Sequence, residues 1–100
     1  MELKNGLTPA QVERFVWLSE ELSECIHAIN KILRHGSDSK DPTNPNHPGN
    51  KLQLEIELSH VYQAANLLAT SGDISLQRMM TMAMKPAKSQ WFHYEENKDN

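Results

Sequence analysis

The chain holds a single cysteine, Cys25. One thiol excludes an internal disulfide and a cysteine-rich zinc site. No apolar run reaches the roughly 18 residues that a membrane-spanning helix needs, so no membrane partner is expected. Basic residues are outnumbered, with 10 Lys and Arg against 13 Asp and Glu, for a net charge of −3. No strong basic field points to a nucleic-acid polymer as partner. The opening residues, MELKNGLTP, contain no apolar signal core, and an intracellular, cytoplasmic protein is the expectation. Strand alternation, internal repeats and low-complexity tracts are missing too.

What is there reads as helix. A chain of 100 residues allows one small domain. Hydrophobic residues make up 38% of it, enough for a globular fold but a thin core for one chain. Oligomerisation is therefore expected.

A first helix should start at Thr8, with Pro9 in its first position and Gln11 completing a capping box. Apolar residues follow at Phe15, Leu18, Leu22, Cys25/Ile26, Ile29 and Leu33, a 3–4 spacing that predicts one buried face. The helix should end near His35, with Gly36 just past it. Residues 36–50, GSDSKDPTNPNHPGN, form a loop by composition, long for a helix–helix connection. A second helix is expected over about Lys51 to Ser71, with a seam at Leu54, Leu58, Val61, Ala65 and Leu68. Gly72 should end it. Asp73 should cap a short third helix over about 74–84, stopped by Pro86. The tail carries Trp91, Phe92 and Tyr94, expected to pack on the domain or a partner subunit, and then turns polar.

Chemistry could come from two pairs of side chains. Glu21 and Glu24 lie three residues apart on the first helix, and Glu57 and His60 do so on the second. Such pairs share a helix face. Each sits beside its apolar seam, so antiparallel packing would bring them together at the edge of the core. Three carboxylates and an imidazole there would repel unless a cation or proton joined them, and an oxygen-rich cluster suits Mg²⁺ or Mn²⁺. On spacing alone, the glutamates read equally as the solvated flank of an amphipathic helix.

The stretch EELSE, residues 20–24, matches the EExxE motif of the MazG-like all-α nucleoside triphosphate pyrophosphohydrolases, a superfamily that includes the all-α dUTPases. The second family motif, ExxD, falls on the next helix, where this chain has ELSH, Glu57 to His60. With KILRHG and LEIELSHV, the chain resembles short single-domain members, many of them bacteriophage-encoded. The resemblance covers roughly residues 10–70, with a weaker echo in MKPAKSQWFHY.

The resemblance implies an all-α fold, an antiparallel helical hairpin plus a short third helix. These would assemble into a four-helix-bundle-like homodimer or homotetramer. It also implies metal-dependent cleavage of a nucleoside triphosphate, or a related nucleotide, to monophosphate and pyrophosphate. By motif, Glu21, Glu24 and Glu57 are metal ligands and His60 stands in the fourth ligand's place. Glu20 orients a ligand or water, or is a plain surface glutamate. Lys31 and Arg34 could meet the substrate phosphates or simply favour the helix C-terminus. Lys85 and Lys88 are weaker candidates. Asn66 could hydrogen-bond a base or be a satisfied surface amide, His27 reads as a partly exposed polar residue, the methionines at 79–84 read as adaptable packing, and His35 and His47 carry no assigned role.

Two departures stand out. The family's Asp is His60, and 32 residues, 25–56, separate the motifs, somewhat more than is usual. Imidazole suits Mn²⁺, Co²⁺ or Zn²⁺ better than Mg²⁺. His60 could ligate a softer metal, orient a ligand, or mark lost catalysis. As a ligand it must be neutral, so activity should fall below about pH 6. The alternatives to hydrolysis are a catalytically weakened or inactive protein that binds and sequesters nucleotides on the same fold, and a plain helical interaction module.

Overall fold

The computed structural model describes residues 5–85 and Tyr94. It contains three helices, α1 (Pro9–His35), α2 (Asn50–Thr70) and α3 (Leu76–Ala83), with no strand among the described residues. Pro86, Lys88, Trp91 and Phe92 lie outside the described residues, and Tyr94 is exposed.

Local chemistry sets the start of α1. Thr8 Oγ1 accepts from the Gln11 backbone N–H at 3.2 Å, and Gln11 Oε1 accepts from the Thr8 N–H at 2.9 Å. Two otherwise unpaired helix-end donors are thereby satisfied. The helix stops where Gly36 donates its N–H to the Ile32 carbonyl. At the other end of the loop, Gly49 precedes α2 with φ 102° and ψ 153°, a conformation almost reserved to glycine.

The hairpin is antiparallel. Glu21 approaches His60, the Lys31 carbonyl meets Asn50, and Arg14 meets Asp73. A line of buried and half-buried positions on α1 runs Gln11, Arg14, Leu18, Glu21, Cys25, Ala28, Ile32, with Val12 and Trp17 also half-buried. On α2 a line runs Asn50, Leu54, Glu57, Val61, Ala64, Leu68, with Gln53, His60, Ala65, Asn66 and Ala69 also half-buried. Both series alternate steps of three and four, the seam of a two-helix coil. Cys25, Ala28, Ala64 and Leu68 are its buried apolar centre, and the small side chains let the backbones approach.

On α2 the expected seam holds at Leu54, Val61, Ala65 and Leu68, and only Leu58, 50% exposed, turns away. On α1 Leu18 and Cys25 are covered as expected, but the rest of the stripe turns outward, with Leu22 46%, Ile26 57% and Leu33 77% exposed. Each residue turns a helix by about 100°, so a one-residue offset moves the buried line a quarter turn. One hairpin partner covers only one line. The second apolar stripe stays open, alongside Leu52, Ile56 and Tyr62 of α2.

The link to α3 also differs from expectation. Gly72, at φ 83°, lets its N–H reach the Ala69 carbonyl while the Asp73 N–H reaches that of Leu68. This pair of bonds closes α2 with its last carbonyls satisfied. The turn aims Asp73 at α1, not at α3. Arg14 donates to it through Nε at 2.6 Å and through Nη2 at 3.1 Å, and Gln11 Nε2 adds a third bond at 3.1 Å. Ser75 takes the capping role on α3, its Oγ accepting from the Arg78 N–H at 3.2 Å. A guanidinium partner outcompetes a cap for the buried carboxylate, because a two-pronged charged bond is stronger than one neutral N–H contact.

A carboxylate–histidine cluster in the helix seam

Glu21 and Glu57 do not flank the seam. They occupy it, in positions where a coil of this kind normally places apolar side chains. Their side chains are only 19% and 14% exposed. Between them comes His60, 42% exposed, with Nδ1 3.4 Å from Glu21 Oε2 and 3.5 Å from Glu57 Oε2. One ligand atom from each of the three lies within 4.8 Å of the others.

Each carboxylate is held by a neighbour one turn earlier on its own helix. Trp17 Nε1–H donates to Glu21 Oε1 at 3.1 Å. Gln53 Nε2–H donates to Glu57 Oε1 at 2.7 Å. Each pair spans four residues, so both side chains stand on one helix face. One oxygen of each glutamate is thus tied down, and the other, Oε2, is turned to His60. Sequence reading gives Trp17 and Gln53 no role, although the four-residue spacing was the available signal.

The two seam carboxylates also set the local field. Burial pushes the Cys25 thiol up from its ordinary value of 9.0, with Glu57 and then Glu21 adding to the rise. Cys25 is therefore a neutral packing residue in the seam.

The other expected site residues are distributed differently. Glu24 is exposed and stands outside the cluster of three. The seam passes from Glu21 to Cys25, and Glu24, one residue earlier, is turned about 100° from Cys25 and off the seam. It does line a groove of about 240 Å³ together with Glu57, Lys31 and His47. Glu20 is exposed and likewise outside the cluster. Lys31 and Arg34 line a second cavity, of about 390 Å³, between the end of α1 and the 36–49 loop. Lys31, Asp41 and His47 line both spaces.

The loop owes its shape to fixed ends. Asn50 is 5% exposed, and its Nδ2 donates to the Gly36 carbonyl at 3.0 Å and the Lys31 carbonyl at 3.4 Å. The Asn50 N–H binds the Ser39 carbonyl and the Lys51 N–H that of Ser37. Within the loop, Asp41 Oδ1 accepts from the Thr43 N–H and hydroxyl, which hold its carboxyl below the ordinary 3.8. His47, 7% exposed, accepts the Gly49 N–H on Nδ1 at 3.0 Å. No pattern in the sequence marks His47 or Asn50, since both depend on how the loop closes.

Two half-buried carboxylates and an imidazole, each with a free coordinating atom, make an O₂N donor set for a divalent cation. A proton on His60 would offset one of the two carboxylate charges. The chain matches no protein-family model, no curated protein and no solved structure.

Proposed function

We propose that the chain is a metal-dependent nucleotide pyrophosphohydrolase of the MazG-like type, cleaving a nucleoside triphosphate or a related nucleotide to the monophosphate and pyrophosphate. The observation that carries this reading is the convergence of Glu21, Glu57 and His60 within 4.8 Å, at seam positions. Carboxylates in a seam cost stability unless a cation offsets their charge. Mg²⁺ or Mn²⁺ suits the two carboxylates, and the imidazole shifts the preference toward Mn²⁺ or a softer ion.

Glu21 and Glu57 would hold the ion through their Oε2 atoms and neutral His60 through Nδ1, with Glu24 lining the groove beside Glu57. A bound divalent ion offsets phosphate charge and makes its water more acidic. Trp17 and Gln53 hold the carboxylates in place. Lys31 and Arg34 offer positive charge to the phosphates. The exposed stripe of α1 is the surface a second hairpin would cover, giving a homodimer or homotetramer with a four-helix core. No helix among the described residues is long and apolar enough to cross a membrane, and the proposed setting is intracellular, where nucleotides are the substrate.

A second reading is nucleotide binding without hydrolysis. His60 favours it, because an imidazolium with Nδ1 3.4 and 3.5 Å from the two carboxylates would offset part of their charge with no metal. Pyrophosphate release from a panel of nucleoside triphosphates, crossed with Mg²⁺, Mn²⁺ and Co²⁺, separates the two. Release that depends on the ion and disappears in Glu21→Gln supports the enzyme. Nucleotide binding with no release under any ion assigns a sequestering protein. A plain helical module would show neither, and its melting temperature would not respond to metal.

A further inference from the structure

The chain as a whole is acidic, but the cavity under the 36–49 loop is not. Its wall carries Lys31, Arg34 and Lys40 against one carboxylate, Asp41. Among the described residues none of these three cations is in an ion pair, the cationic partners there being Arg14 and His60. Unpaired cations around a concavity keep their full attraction for an anion, and low-dielectric walls focus it.

A buried donor faces the same space. Because His47 Nδ1 accepts the Gly49 N–H, the ring proton of the neutral imidazole stands on Nε2. Among the described residues Nε2 has no protein partner, and no buried side-chain polar atom there is left without one. His47 lines both the loop cavity and the groove beside it. Asp41, whose Oδ1 is engaged by Thr43, keeps its charge beside Lys31 and His47 and is outnumbered there by the three cations.

We infer that this cavity seats the terminal phosphates of the nucleotide, and so fixes the direction in which the substrate lies. The inference rests on the nucleotide reading above. Lys31 borders both the groove containing Glu24 and Glu57 and the loop cavity. It follows Glu24, at the groove, by seven residues, about 10 Å along the helix, and Glu21, in the cluster, by ten, about 15 Å. A phosphate chain laid along α1 from the carboxylates would deliver its far end to Lys31, Arg34 and Lys40, with His47 Nε2–H as a neutral donor. The nucleoside then lies toward the Trp17 end of the seam. A base in the loop cavity would instead leave three cations facing a neutral ring.

The test is calorimetric titration of inorganic pyrophosphate into the full chain, in EDTA, so that no metal takes part. Wild type should bind it. Arg34→Gln and Lys40→Gln, both at exposed positions, should each weaken binding roughly tenfold, the size of one charge-assisted bond. Glu57→Gln should not weaken it. Pyrophosphate that fails to bind, or binds indifferently to both loop variants, overturns the assignment. The outcome is independent of turnover. Loop-dependent pyrophosphate binding in a protein that hydrolyses nothing would retain the anion site and remove the enzyme. Hydrolysis with loop-indifferent binding would do the reverse.

Discussion

Trp17 and Glu21 stand one turn apart on α1, and the indole N–H holds Glu21 Oε1 at 3.1 Å, leaving Oε2 to face His60 at 3.4 Å. Trp17 thus decides which oxygen of Glu21 is available to the cluster. Trp17→Phe keeps an aromatic ring and removes the donor, together with part of the indole's bulk. Metal affinity should fall about 10- to 100-fold, the usual effect of losing a ligand's hydrogen-bond partner. Titrating Mn²⁺ against melting temperature measures this without any turnover. Equal stabilisation of wild type and variant by Mn²⁺ would count against the role.

His60→Asp replaces the nitrogen donor by an oxygen. Mg²⁺-supported pyrophosphate release should rise relative to Mn²⁺-supported release, since Mg²⁺ prefers hard oxygen ligands. An unchanged ratio of the two rates would mean that His60 does not touch the ion.

Asp73 gives a pH signature at the opposite end of the hairpin. The Arg14 bond, opposed by burial and aided by Gln11, holds its carboxyl below the ordinary 3.8. A carboxyl with a depressed folded-state value stabilises the fold above its unfolded value, and the gain is lost as pH falls through the folded one. Asp73→Asn should therefore melt several degrees below wild type at pH 7. The gap should close progressively below about pH 4. A constant gap from pH 7 to pH 2 would assign the loss to packing and not to charge.

Ile26 tests the open stripe. It is 57% exposed on α1 and outside the intrachain seam. Ile26→Glu should convert a dimer or tetramer to monomer in light scattering, while leaving the hairpin's helical signal in place. Identical masses for both proteins would show that this stripe is not where subunits meet.

How much of this can be read from the amino-acid order follows from the range of each interaction. The capping box at Thr8 and Gln11 is legible, because capping is settled within four residues. The pairing of Glu21 with Glu57 and His60 is legible as two face-sharing pairs on successive helices. The rotation of α1 is not. Phe15, Leu22, Ile26, Ile29 and Leu33 make as good a stripe as the line actually buried. Only the small residues of α2, Ala64 above all, favour the line through Cys25 and Ala28. The same quarter turn moves Glu21 into the seam and Glu24 out of it. Asp73 is illegible for a similar reason, since its partner Arg14 lies 59 residues away.

The Asn50 side chain that ties the end of α1 to the start of α2 has a consequence for how such a protein can change. The loop's two feet, at Ser37 to Ser39 and at Asn50 and Lys51, are fastened to each other and to the helix end. Its crown, Thr43 to Asn46, is exposed and belongs to neither foot. Residues could be inserted, deleted or exchanged in the crown without re-registering the hairpin. The frame would be inherited intact while the rim of the cavity drifted, which makes the crown the natural place to graft a new selectivity.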